Sequence, residues 1–156
     1  MSMKGTKSDI KIKRLKKDDH SSFKELVALF NDVFENENKT VPKKGYLRKI
    51  LENPYFIAFV AIDKHKVVGG LTGFILPKYY AKESEIFIYD IAINPKHQRK
   101  GIGKSLLSEL KKYAKTKGIS EIFVAANKED KHAIDFYLST KGKAEEVVHF
   151  NYGIKQ

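Results

Sequence analysis

The chain has 156 residues, a formal net charge of +11, 42% apolar residues and no cysteine. That length suits one domain with a core of its own, and the lack of cysteine excludes disulfides, thiolate metal sites and a cysteine acyl-enzyme. No apolar stretch approaches the ~20 residues of a membrane span and the opening residues lack the apolar centre of a signal peptide, so a soluble cytoplasmic protein is the expectation. The positive charge is unevenly placed. Residues 1–17 hold seven Lys and Arg against one Asp, residues 96–117 hold eight against one Glu, and the remainder is slightly acidic. Nucleic acid is one partner that such a charge fits. It is the weaker explanation, because no aromatic residues interleave with the basic ones as they do in RNA-binding sheets. Loop lysines also suit a ligand that carries several phosphates.

Residues 1–8 read as a basic, polar arm and 9–156 as a single domain. From Asp9 to Leu15, Ile10 and Ile12 alternate with lysines, the pattern of a half-exposed strand. Ser22-x-x-Glu25 reads as a capping box, before a helix that places Phe23, Leu26, Val27, Phe30, Val33 and Phe34 on one face. After a polar loop, Tyr46, Leu47, Ile50 and Leu51 mark a short second helix that stops near Asn53-Pro54. Tyr55–Ile62 is apolar throughout, which predicts a strand covered on both faces. A turn over residues 63–66 leads back through Val67–Leu76 as an antiparallel hairpin. Its Gly69, Gly70 and Gly73 predict a bulge or a close backbone approach.

Ser84–Ile93 predicts a fourth strand, closed by Asn94-Pro95. Beyond it, Ile102, Leu106, Leu107, Leu110, Tyr113 and Ala114 recur at helical spacing, and Gly118 is a fitting stop. Between strand and helix lies Gln98-Arg99-Lys100-Gly101-Ile102-Gly103. This arrangement aims unpaired backbone N–H groups and the positive end of a helix dipole at phosphate. A side chain at either glycine would hold the phosphate away. A Walker A loop lacks its first glycine here, and a dinucleotide fingerprint would need a third glycine where Leu106 stands. A fifth strand is expected over Glu121–Ala126, a fourth helix over Lys131–Thr140 and a last strand over Glu145–Tyr152. The order β-α-α-β-β-β-α-β-α-β is that of a mixed α/β domain.

Gln98-x-x-Gly101-x-Gly103, set after a strand and before a long helix, resembles the acyl-CoA signature of the GNAT N-acetyltransferases. Further segments are similar to the aminoglycoside (gentamicin) 3-N-acetyltransferases of that superfamily. They are Phe56-Ile57-Ala58, Val67–Leu71, Ser84–Ile93 with His97–Ile102, and Glu145-Glu146-Val147-Val148-His149-Phe150. The resemblance spans about residues 23–152. It implies the GNAT fold, with a mixed central sheet of six to seven strands and about four helices. It also implies acetyl transfer from acetyl-CoA to a primary amine of a small cationic substrate, an aminoglycoside first, with no metal. A homodimer is left open. Position by position, the backbone of Ile91, Ala92 and Ile93 would lie along the pantetheine arm. Gln98, Arg99, Lys100, Gly101, Ile102, Gly103 and Lys104 would hold the pyrophosphate. Asp90 matches the acidic residue beside the amine, and Tyr137 the tyrosine near the CoA sulfur. Glu145 and Glu146 suit a polycation. Two further acidic positions of the family are Asn127 and Asn151 here, and Tyr137 is followed by four residues before Gly142 rather than three.

The chemistry asks for little. A protonated amine cannot attack until a nearby carboxylate has bound the ammonium and taken its proton, which is the role open to Asp90. Backbone N–H groups near Ile91 would stabilise the oxyanion, and direct attack in a ternary complex follows from the absence of cysteine. Plainer readings stand beside these. Asp90 also reads as a structural carboxylate at a bulge, Tyr137 as a core residue, His97 as solvated and His149 as a packed strand residue. The acceptor also reads as a polyamine, a metabolite amine or a protein amine, and the fold as a non-catalytic CoA- or nucleic-acid-binding module.

Overall fold

Five strands lie side by side in chain order in the computed structural model, which describes residues 9–156; the arm read over residues 1–8 lies outside them. They are β1 (Lys11–Arg14), β2 (Phe56–Asp63), β3 (Lys66–Pro77), β4 (Ser84–Ile93) and β5 (Ile119–Val124). β1 to β4 pair antiparallel, and β5 joins β4 in parallel. The α-helices are α1 (His20–Val33), α2 (Lys44–Glu52), α3 (Ile102–Thr116) and α4 (Lys131–Ser139). The chain divides into two compact units at Val124–Ala125. The first holds the sheet and α1 to α3, the second α4 and the residues after it.

In the first unit, the alternation along each strand distributes side chains to two cores. Ile57, Phe59, Leu71, Ile86 and Ile88 meet Ile102, Leu106 and Leu110 of α3 on one face. Ala58, Val60 and Ala92 meet Phe23, Leu26 and Phe30 of α1 and Leu47 of α2 on the other. β2 is therefore covered on both faces, as its unbroken apolar run predicts. Each fully buried Leu or Ile contributes about 1.5–3 kcal/mol. The glycines of β3 have the expected use. At Gly70 an added Cβ would stand 2.5 Å from Leu26 Cδ1 and 2.6 Å from the Phe59 carbonyl oxygen, so the bare backbone is what lets α1 approach.

Two expectations fail for reasons of tertiary structure. Ser22-x-x-Glu25 does not form a capping box: α1 starts at His20, and Glu25 instead accepts the Val67 amide at 3.0 Å. Asp19 precedes the helix but accepts hydrogen bonds from Lys13 and the Lys16 amide. The sheet also has five strands rather than six to seven. Glu145–Tyr152 forms no strand and His149 is not packed; Phe150 and Tyr152 stay 72% and 86% exposed. A strand exists only through its ladder partner, and among the described residues this segment has none.

Gly70→Ala tests the close approach of α1. It is expected to destabilise by about 1–3 kcal/mol through overpacking, read as a lower Tm; an unchanged Tm would mean that α1 yields without cost.

Candidate active site

Strict alternation along β4 would place Asp90 on the same face as Ile88, inside the α3 core. A bulge prevents this. Thr72 of β3 pairs with Asp90 and Gly73 with Ile88, which leaves Tyr89 as the extra residue. The phase then shifts by one. Ile86 and Ile88 before the bulge, and Ile91 and Ile93 after it, all pack toward α3. Tyr89 and Asp90 both turn to the α1 face, where Ala92 also packs. Asp90 is half-buried there, and burial, with no cation or donor to offset it, pushes its carboxyl above the usual carboxylate value.

The same strand has one free edge. β5 stops opposite Ile88, so residues Asp90, Ile91, Ala92 and Ile93 pair with β3 alone. Among the described residues no strand pairs with that edge. β4 then runs into a 3-10 turn, Pro95–His97, which Asn94 caps by accepting the Lys96 amide. Gln98 extends its side chain back to donate to the Ile93 carbonyl at 3.1 Å, which fixes the start of the loop. Arg99 and Gly101 both hold positive φ, 60° and 78°. Gly101 sits at the N-cap of α3 with open space where a Cβ would point, and no side chain caps the helix. The amides of Ile102, Gly103 and Lys104 open that first turn as unmet donors, with Arg99, Lys100 and Lys104 supplying charge. Residues 98–104 thus come together as one basic corner at the uncapped start of α3, just past the end of β4.

One contributor is missed by the sequence reading. His97 is not solvated: its side chain is 23% exposed and its Nε2 lies 3.3 Å from Asp63 at the end of β2. It ties the loop after β4 to the β2–β3 hairpin. Nothing in the local pattern signals this, because the partners are far apart in sequence.

The second unit places Tyr137 on α4, half-buried, with its ring 5.3 Å from Phe136. The extra residue before Gly142 is absorbed in the helix end. The Lys141 amide bonds to the Leu138 carbonyl and the Gly142 amide to that of Tyr137 at 2.8 Å, a Schellman turn. Lys141 holds the left-handed position, φ 70°, that glycine usually takes. Glu145 and Glu146 are exposed, and Glu146 lies 3.7 Å from Lys128.

A free strand edge running into an uncapped helix start is what an acyl-CoA needs, and residues 23–142 match the acetyltransferase (GNAT) family. The chain belongs to the GNAT acetyltransferase family. It is an N-acetyltransferase, and GNAT enzymes use acetyl-CoA. Among solved structures it is similar to an aminoglycoside acetyltransferase from an uncultured soil metagenomic sample, determined with trehalose: 41% identity over 97% of this chain and 100% of that one, TM-score 0.93. The same soil enzyme with sisomicin gives 42% identity over 94% of this chain and 97% of that one, TM-score 0.91. A second soil enzyme named as an aminoglycoside acetyltransferase gives 34% identity over 94% and 99%, TM-score 0.89. No curated protein matches the chain. Among the described residues, no helix is long and apolar enough to cross a membrane and no cluster of His, Asp and Glu stands where it would hold a metal ion.

For a GNAT enzyme, the corner at residues 98–104 is the place to test. Gly101→Val forces a β-branched residue into positive φ and re-aims the first-turn amides; the Kd for CoA is expected to rise at least ~10-fold by the loss of about 1.4 kcal/mol or more, and unchanged affinity would remove the assignment. Lys141→Gly relieves the left-handed strain at the end of α4 and is expected to stabilise by about 0.5 kcal/mol, seen as a small rise in Tm.

Proposed function

We infer that the protein acetylates a primary amine of an aminoglycoside, at the 3-amino group, by direct attack on acetyl-CoA in a ternary complex. The observation that carries this reading is Asp90, turned out of the core by the bulge and placed beside the free edge of β4. Its raised pKa makes it a better proton acceptor than an exposed carboxylate. Asp90 holds the ammonium group and accepts one proton from it. The amine lone pair then attacks the thioester carbonyl, and backbone N–H groups near Ile91 stabilise the oxyanion. As the tetrahedral adduct collapses, the C–S bond breaks and the thiolate leaves. With a thiol pKa of ~8.5 it needs little help, so a proton from Tyr137 assists without being obligatory. The backbone of Ile91, Ala92 and Ile93 lines the pantetheine arm, and residues Gln98 to Lys104 hold the pyrophosphate.

The aminoglycoside acceptor is supported by the soil enzyme with sisomicin, and the 3-amino position by the segments over residues 84–93 and 145–150. Glu145 and Glu146 supply charge for a polycation. A second reading, a polyamine, metabolite or protein amine, is favoured by Asn127 and Asn151, which remove two carboxylates from the expected set. The non-catalytic module gives way to the family assignment. Thiol release from acetyl-CoA, compared across gentamicin, spermidine and a basic peptide, separates the acceptors. Gentamicin should be the most active, with the product acetylated at its 3-amino group; turnover of spermidine or peptide alone would transfer the assignment to them.

Asp90→Asn is expected to lower kcat by about 10²–10⁴-fold with little change in the Kd for CoA. The wild-type rate should fall as pH drops through a midpoint above the ordinary carboxylate range, because only the ionised form accepts a proton, and this limb should vanish in the variant. The sign for stability is opposite. A carboxyl whose pKa is raised by folding favours the native state when protonated and disfavours it as pH rises through the raised value. Asp90→Asn should therefore keep or raise the Tm at pH 7, and a clear fall would make Asp90 structural.

A further inference from the structure

Among the described residues, the buried polar side chains are Asn31 and Thr72. Asn31 is satisfied: it donates to the Thr40 carbonyl and accepts from the Asn36 amide group. The Thr72 hydroxyl has no hydrogen-bond partner among the described residues. A buried hydroxyl in that state carries its full desolvation cost. The β-branched shape suits a strand, but valine has that shape without the oxygen. Strand propensity therefore leaves the oxygen unexplained. Nor is the oxygen sealed in. His97 Nδ1 is the fully enclosed side-chain atom that lacks a partner, so Thr72 Oγ1 keeps an opening toward solvent.

The register shows what lies beside it. Leu71 and Ile75 pack toward α3, so Gly70, Thr72 and Phe74 between and around them face α1. Leu26 of α1 stands over Gly70, and Phe74 meets Phe56 of the α1 core. Across the sheet, Thr72 pairs with Ala58 on one side and with Asp90 on the other. The bulge at Tyr89 turns Asp90 onto this same face. Of these four neighbours Asp90 alone carries a polar side chain. Directly opposed residues on one face have Cβ atoms ~4.5–5.5 Å apart. Yet no hydrogen bond joins the hydroxyl to the carboxylate, and burial is the sole cause of the raised Asp90 pKa. Two oxygens thus border one space and neither satisfies the other. A donor with N–H groups in two directions, each about 2.8–3.0 Å from its acceptor, would serve both.

We propose that Thr72 is the second acceptor of the amine site: its Oγ1 takes one N–H of the primary ammonium group whose other N–H Asp90 takes. This rests on the role proposed above for Asp90. When a proton passes from the nitrogen to the Asp90 carboxylate, the nitrogen keeps two hydrogens and gains a lone pair. Thr72 holds one of those hydrogens. Rotation about the C–N bond, with Thr72 as the pivot, then aims the lone pair at the thioester carbonyl. Holding a reacting atom in this way is an orientation effect, and it needs an oxygen at position 72 rather than a methyl group.

Thr72→Val removes the oxygen and keeps the shape, so its Tm should equal or exceed that of the wild type. With gentamicin as acceptor, kcat/KM for the amine is expected to fall about 10-fold, the worth of one hydrogen bond. The KM for acetyl-CoA and the Kd for CoA should not change. The acid limb of kcat/KM reports the free enzyme, where Thr72 does not donate to Asp90, so its midpoint should stay in place. Thr72→Ser keeps the oxygen and should recover most of the rate. A fully active Thr72→Val chain overturns the contact, as does a Thr72→Ser chain no better than Thr72→Val. A loss shared by CoA affinity would make Thr72 structural, and a shifted midpoint would make it a tuner of the free carboxyl; either overturns the contact. Asp90→Asn separates this from the reading beneath it. If Asp90→Asn is inactive and Thr72→Val fully active, the proton acceptor stands and the Thr72 contact falls. If Asp90→Asn is fully active and Thr72→Val impaired, the contact stands and the proton acceptor falls.

Discussion

The geometry of the site depends on β4 having two different neighbours. Along its whole length it pairs with β3, but β5 accompanies it only as far as Ile88. The connection from β4 to β5 is a crossover through α3, whose side chains pack on the sheet, and such a parallel unit is right-handed. The helix must therefore start just past the end of β4. This brings an uncapped N-terminus to the spot where the strand has lost its outer partner. The uncapped corner is thus a consequence of topology, in the same way that crevices at the carboxyl ends of strands form in other α/β sheets. The residues at 98–104 refine a site that the chain's path has already opened.

Refinement here means holding backbone in uncommon states. Arg99 at positive φ is costly for a residue with a Cβ, on the order of 1–2 kcal/mol. It persists because its surroundings are fixed on both sides: Gln98 is tied to Ile93, and His97 to Asp63. Both ties lead into strands whose other faces are buried. Loop strain is offset by sheet packing, the usual relation between a binding loop and its scaffold. The β4 bulge follows the same logic. Without it the phase of alternation would bury a carboxylate against Leu106 and Leu110, at a cost that an unpaired charge cannot meet.

Elements whose signals are local were legible in the sequence. The apolar run of β2, the hairpin after it, the helical spacing of α3 and its glycine stop needed only near neighbours in the chain. What escaped was what depends on distant partners. Ser22 and Glu25 have the spacing of a capping box, but Glu25 meets a better donor on β3. His97 looks like a polar loop residue until Asp63 is brought beside it. A bulge was legible as one reading of Asp90 and of the β3 glycines, but that Tyr89 is the extra residue is set only by the register with β3. The aromatic row of Phe56, Phe74, Phe87 and Phe123 is not a motif at all: they lie on four strands, and register alone unites them, with Tyr89 against Phe74 and Phe87. Glu145–Tyr152 has a correct strand pattern and still forms no strand, since a pattern states only that a ladder would suit it.

These two surprises meet at one dipeptide. Tyr89 belongs to the aromatic row, and the bulge sets Asp90 beside it on the same face. Any cover laid over the row must remove water from Tyr89 and so lower the dielectric around Asp90. Desolvation raises a carboxyl's pKa and strengthens its grip on an ammonium ion, both of which favour proton transfer from a bound amine. The bulge thus sets the Asp90 carboxyl at the margin of an aromatic surface, and burial there is what lifts its pKa above the ordinary carboxylate value.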